Sequence, residues 1–275
     1  MSSFSRVLMA TDLSHQSVNM TDGLTSLCPD KDTNVILAHV FEDDEDADPR
    51  SSQYKKILEK LKSFRNILSQ EGYNNLNIIT SRGDPAQEIH RLTEENDCDL
   101  IFVASHRKGF IRSAIMGTST TYDLARATLQ PLFIDKDDED AQENLLAKVL
   151  VATDFSKKSL QALEFLRELR ENVGSVLFVH VIEDEDDTNP GDAETFLKEL
   201  VDEMKIFGIS SEYVVREGVA SKEIMRTAEE KGCQMITMAK TGAGATDLDP
   251  LGSTSKNLLM NAKCALLLIP DVDDD

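Results

Sequence analysis

Five residues occur almost identically at two places in the chain, ATDLS at 10–14 and ATDFS at 152–156. Each follows an apolar run, so each sets a carboxylate, Asp12 or Asp154, just past what reads as a buried strand. A second set of residues able to do chemistry lies in the stretch AKTGAGATDLDPLGSTSKNLL, residues 239–259. Gly242 and Gly244 allow backbone to approach a ligand closely. Gly252-Ser253-Thr254 then opens a helical pattern. A helix start offers unpaired N–H groups and a partial positive charge, which suits an anion, and the hydroxyls of Ser253, Thr254 and Ser255 add donors. The corresponding loop of the first half carries His106, Arg107, Lys108, Arg112, Gly117, Thr118 and Ser119. Glycine spacing alone fits a flexible turn as well as it fits a phosphate cradle. The elements that position these loops decide between the two.

Those elements come twice. Asp154 follows Asp12 by 142 residues, and His180-Val181 follows His39-Val40 by 141. Gly83 and Gly218, Glu88-Ile89 and Glu223-Ile224, Cys98 and Cys233, Ala104 and Ala239, and Gly117 and Gly252 are all spaced by 135. The order never breaks, which marks a tandem duplication rather than a chance match. The expected division is a first domain at 1–136, an acidic linker at 137–146 and a second domain at 147–275.

Within the first copy, RVLMA, TNVILAHV, NLNIITS, DLIFVAS and PLFIDK read as strands. Helical patterns lie between them: SHQSVNMTDGLTSLC, with Ser14 as N-cap, SSQYKKILEKLKSFRNILSQEG, DPAQEIHRLTEEN with Pro85 in its first turn, and TSTTYDLARATL. The second copy repeats this order and ends in ALLLIP. Strict alternation of continuous apolar strands with helices predicts an α/β protein. It should hold two doubly wound, five-stranded parallel sheets of order 3-2-1-4-5. In such a sheet, ligands bind beyond the carboxyl ends of the strands where the order reverses. The first and fourth strands flank that reversal, so the Thr-Asp loop and the glycine loop face one crevice.

Composition excludes other classes. The formal charge of −21 opposes nucleic-acid binding, which depends on Lys and Arg neutralising phosphates. The acid gathers in FEDDEDADP, IEDEDDTNP, DKDDED and the final DVDDD, and reads as solvated loops without the spacing of a calcium loop. No apolar stretch approaches a membrane span and the N-terminus has no signal-like run, so a cytoplasmic protein is expected. The four cysteines form no CxxC pair, and Cys98 and Cys233 read as buried small hydrophobes.

The motifs, in order and spacing, resemble the universal stress protein family over nearly the whole chain. Its nucleotide-binding members carry an Asp after the first strand, an apolar-His-Val ending to the second, and Gly-x2-Gly-x9-Gly-Ser/Thr after the fourth. Here the second copy has Ala239-x2-Gly242-x9-Gly252-Ser253, with Ala239 in place of the first glycine. The first copy has Ala104-x2-Arg107-x9-Gly117-Thr118, with Arg107 in place of the second glycine. GDPAQEI at 83–89 is also family-like.

The resemblance implies a Rossmann-like fold related to the adenine nucleotide alpha hydrolases, and a stress-response protein binding ATP, ADP or AMP, with magnesium held through the phosphates. It places Asp154 near the nucleoside, Val181 backbone at the adenine edge, and Ala239, Gly242, Gly252, Ser253 and Thr254 at the phosphates. Asp12, Val40, Arg107, Gly117, Thr118 and Ser119 are the alternative set. Glycine content favours the second copy. Loop charge favours the first, because Asp247 and Asp249 lie in the second loop. Arginine cannot supply glycine's backbone freedom, so the second copy is the expected binder. No catalytic residue is expected, and His39 and His180 read as structural. The competing readings are a slow ATP hydrolase and an interaction module whose sites have decayed. Single-domain relatives resemble dimers joined through the fifth strand, which implies an internal pseudo-dimer here, with homodimers of the whole chain left open.

Overall fold

The structure is a computed structural model that describes residues 4–13, 20–42, 47–105, 118–136, 144–183, 189–241 and 251–270. The chain divides between Asp137 and Asp138 into two compact units.

The first unit runs β1 (Arg6–Ala10), α1 (Met20–Leu27), β2 (Asn34–Phe41), α2 (Ser52–Gln70), β3 (Asn75–Arg82), α3 (Pro85–Glu95), β4 (Leu100–Ser105), α4 (Thr118–Ala127) and β5 (Leu132–Lys136). Its strands are all parallel, in the order β3-β2-β1-β4-β5. The second unit runs β6 (Val149–Ala152), α5 (Lys157–Glu168), β7 (Ser175–Ile182), α6 (Pro190–Ile206), β8 (Ser210–Glu217), α7 (Ala220–Lys231), β9 (Met235–Ala239), α8 (Ser253–Asn261) and β10 (Ala265–Ile269). Its order is β8-β7-β6-β9-β10, again parallel throughout. This is the doubly wound arrangement the alternating pattern predicts. Ser14, the expected cap of the first helix, lies outside the described residues. Its repeat partner Ser156 caps α5 by accepting from the Ser159 amide.

The apolar strand runs are buried on both faces because helices cover both sides of each sheet. β6, β9, the stretch 100–104 of β4 and the apolar part of β5 show almost no exposure. Gly83 and Gly218 sit at φ +141° and +126° just after β3 and β8, a region open to glycine and strained for other residues. Leu145 and Leu146 are buried, and the Gly174 amide bonds to the Leu146 carbonyl, so packed structure begins a few residues before β6. Cys98 and Cys233 are buried as expected.

The two units fill their cores differently at one equivalent place. In α1, a Cβ on Gly23 would lie 3.1 Å from a Phe133 ring carbon and 3.2 Å from one of Phe102. Those two rings pack at 4.6 Å on β5 and β4. The repeat partner of Gly23 is Phe165 on α5, and the partners of Phe102 and Phe133 are Thr237 and Leu268. α5 packs on β9 and β10, which carry those two residues. Bulk on the strands in one unit is bulk on the helix in the other.

Candidate functional site

The loop after β6 is bonded at each of its residues 153–156. The Thr153 amide extends the sheet by bonding the Val179 carbonyl at 3.0 Å. The Thr153 hydroxyl oxygen accepts from the Phe155 amide at 3.0 Å and lies 2.8 Å from Ser159 Oγ. Asp154 Oδ1 accepts from the Ser156 amide at 3.0 Å and the Ser156 hydroxyl at 2.5 Å. Phe155 takes φ +62°, outside the range ordinary residues prefer. The loop after β1 follows the same path. The Thr11 amide bonds the Ala38 carbonyl at 2.9 Å, the Leu13 amide bonds Thr11 Oγ1 at 3.0 Å, and Leu13 takes φ +60°. Asp154 is exposed and Asp12 half-buried.

The ends of β7 and β2 present backbone toward these loops. The β6–β7 ladder stops at Ala152–Val179, while β7 continues to Ile182 along β8. The Val179 carbonyl points toward β6, since it accepts from Thr153, and the Ile182 carbonyl points toward β8, since it accepts from Gly218. Backbone direction alternates along a strand, so Val181 aims both its N–H and its C=O to the β6 side, past the last rung of that ladder. Val40 does the same in the first unit, between Ala38, bonded to Thr11, and Phe41, bonded to Gly83. An adjacent donor and acceptor on one edge match the edge of a purine base.

The third component is the start of α8. Gly252 is its N-cap at φ −59° and ψ 151°, with no side-chain cap bond. That conformation is open to any residue, so glycine is not forced there by the backbone; what it supplies is the lack of a side chain over the first-turn N–H groups. The Gly252 amide bonds the Lys240 carbonyl at 3.2 Å, and the Lys240 amide bonds the Ile269 carbonyl at 2.7 Å. These bonds hold the helix start against the end of β9, next to β6 in the sheet. Ser253 is exposed and Thr254 half-buried at that start. Ser255 differs from expectation. It is 1% exposed and its hydroxyl donates to the Ala239 carbonyl at 3.3 Å, so it fastens helix to strand and is not a ligand donor. Its phase with Leu258 and Leu259 carries that signal in the sequence. Lys240 and Thr241, between Ala239 and Gly242 in sequence, are also buried and carry no motif signal.

Asp154, Val181, Ala239, Gly252, Ser253 and Thr254 thus lie at the carboxyl ends of β6, β7 and β9, around the reversal of strand order. Gly242, Gly244, Asp247 and Asp249 lie outside the described residues, as do His106, Arg107, Lys108, Arg112 and Gly117. Thr118 and Ser119 begin α4. His39 and His180 are buried, and each places Nδ1 2.9 Å from the carbonyl oxygen of Thr11 or Thr153, which is a structural role. Among the described residues no three His, Cys, Asp or Glu side chains gather to hold a metal, and no helix is long and apolar enough to cross a membrane.

Comparison with known proteins agrees with this fold. The model of the universal stress protein family matches residues 3–134 and again 146–270. A universal stress protein of Methanocaldococcus jannaschii is 28% identical over 146 residues, covering 46% of this chain and 84% of that protein. The crystal structure of a universal stress protein from Archaeoglobus fulgidus superposes with a TM-score of 0.78 at 23% identity, covering 97% of this chain and 98% of its own. A Pseudomonas aeruginosa protein of unknown function gives a TM-score of 0.61 at 15% identity over 98% of this chain and 93% of its own. At these identities the structural likeness speaks for the fold.

Proposed function

The chain belongs to the universal stress protein family, and we propose that it is an adenine-nucleotide-binding regulatory protein whose site lies in the second unit. The observation that carries this reading is the backbone of Val181. Its N–H and C=O share one edge just past the β6 ladder, two strands from the open helix start at Gly252. A purine edge fits the first feature and phosphates fit the second. Asp154 stands between them on the β6 loop, where a carboxylate accepts from ribose hydroxyls.

The residues present fit a nucleotide. Val181 reads the base, Asp154 the sugar, and the Gly252–Thr254 helix start, with Ala239 and Gly242, the phosphates of ATP or its ADP and AMP relatives. Magnesium travels with the phosphates, since the described residues offer no cluster to hold it alone. We read the site as one for binding rather than turnover. Asp154, the carboxylate beside the Ser156 hydroxyl, is tied by that residue's amide and hydroxyl to the cap of α5.

Nucleotide released by denaturing the purified chain, identified by mass spectrometry, tests the binding. Calorimetric titration of Gly252→Val and Gly117→Val tests the location. Loss of affinity in Gly252→Val with little change in Gly117→Val is the expected pattern, and the reverse moves the site to the first unit.

A further inference from the structure

One imidazole touches both neighbours of the site carboxylate. His180 is 3% exposed, and its Nδ1 lies 2.9 Å from the carbonyl oxygen of Thr153. A carbonyl has no proton to give, so Nδ1 carries the proton and donates. Thr153 immediately precedes Asp154. The face of the same ring stacks on Phe155 at 4.4 Å and 28°, and Phe155 immediately follows Asp154. Phe155 holds φ +62°, as Leu13 holds +60° in the first unit, and in both loops that residue's amide bonds the threonine hydroxyl two residues before it. The first unit repeats the hydrogen bond, with His39 Nδ1 2.9 Å from the Thr11 carbonyl oxygen. It lacks the stack, because Leu13 stands where Phe155 does, and His39 instead meets Phe41 edge-on at 4.9 Å.

We propose that His180 is a positioning residue for Asp154, fixing the carboxylate from both sides, and that the loop of the second unit is thereby preorganised for its ligand through a ring stack that the first unit does not make. The inference rests on the functional reading above and adds a cause for the difference between the units. A loop already in its bound conformation loses less freedom on binding, which raises affinity without adding a contact to the ligand.

Three substitutions in the full chain separate the contributions. His180→Leu removes both the donor and the ring. His180→Asn keeps an N–H near the Nδ1 position and loses the stack. Phe155→Leu gives the second loop the first unit's residue. With magnesium-ATP as the titrant, His180→Leu is expected to weaken binding about tenfold or more, roughly a 1.4 kcal/mol change. His180→Asn should recover part of that loss, and Phe155→Leu should show a smaller one. In an Asp154→Ala background the His180 substitutions should change affinity no further, because they act through that carboxylate. Full additivity with Asp154→Ala, or no recovery in His180→Asn, overturns the proposal. Hydrogen exchange at the Ser156 amide, which Asp154 Oδ1 accepts, reads the position of the carboxylate without any ligand. Protection should fall in His180→Leu and return in His180→Asn. If the unaltered protein binds no adenine nucleotide, the functional reading fails, and the exchange result alone upholds or overturns the positioning role.

Discussion

Replacing Gly252 with aspartate should make the protein more stable and less able to bind. Four other helices show what a side chain does at this backbone conformation. Ser51, Asp84, Ser156 and Asn189 sit at φ −63° to −73° and ψ 122° to 158°, and each accepts a first-turn amide. Gly252 has φ −59° and ψ 151°, so its backbone already holds the conformation from which an aspartate accepts from the Thr254 or Ser255 amide. Moving from glycine to aspartate at an N-cap gains a few tenths of a kcal/mol. A negative charge on the helix dipole adds about 0.3–1 kcal/mol. For a unit of this size, the sum of about 0.5–1.5 kcal/mol corresponds to a rise of roughly 2–6 °C in melting temperature. The same carboxylate takes amides from a phosphate and repels it. Losing one charge-assisted hydrogen bond costs about 1.5–3 kcal/mol, so affinity should fall at least roughly tenfold and, with repulsion, nearer a hundredfold. Scanning calorimetry and isothermal titration on one preparation measure both effects, with Gly252→Ser as the uncharged control. A higher melting temperature with unchanged affinity refutes the phosphate assignment, and a lower melting temperature refutes the capping argument.

Gly23→Ala should destabilise the first unit by about 1 kcal/mol despite alanine's better helix propensity, because its Cβ meets the Phe102 and Phe133 rings at 3.1–3.2 Å. Combined with Phe102→Leu, the same change should turn neutral or stabilising in urea melts. Acid unfolding of the first unit should report Glu88, whose carboxyl is held below the usual range by hydrogen bonds from Arg91 and then Ser81. Its folded pKa is depressed, so its contribution is present above the unfolded value of about 4.3 and is lost as pH falls through the folded value. Glu88→Gln should flatten that limb of the stability curve. Burial pushes the Cys98 thiol up to about 12 and the Cys233 thiol up to about 11, and raises Cys28 as well. An aromatic disulfide reagent at pH 8 should therefore leave all three unmodified in the native protein and label them on unfolding, with Cys264, the one cysteine of intermediate exposure, reacting first.

The sequence carried the sheet because buried parallel strands need long apolar runs, and alternation with helices leaves few ways to order them. It carried Asp154, Val181 and Gly252 because their positions at strand and helix ends follow from those runs. It did not carry the loop conformation. Leu13 and Phe155 are residue types that rarely take positive φ, so no propensity announces it, and it accompanies bonds to the Thr11 and Thr153 hydroxyls made only in the fold. The run Ser253-Thr254-Ser255 looks uniform to a motif, while helical phase turns only Ser255 inward. That the Val181 N–H and C=O lie past the last rung of the β6 ladder depends on β6 ending before β7, a matter of ladder length that composition does not record.

The exchange of bulk between Gly23 and Phe165 bears on how a duplicated chain avoids assembling with itself in the wrong way. Sister units made one after the other can dock each other's helices while both are incomplete, a characteristic failure of repeated domains. Here α5 offered to β4 and β5 would drive a phenyl ring into Phe102 and Phe133, and α1 offered to β9 and β10 would leave a void where Phe165 belongs. Either mismatch costs on the order of a few kcal/mol, enough to disfavour the exchanged assembly by a hundredfold or so. A core position that touches no ligand would thus act as a key, favouring the match of each helix to the sheet of its own unit.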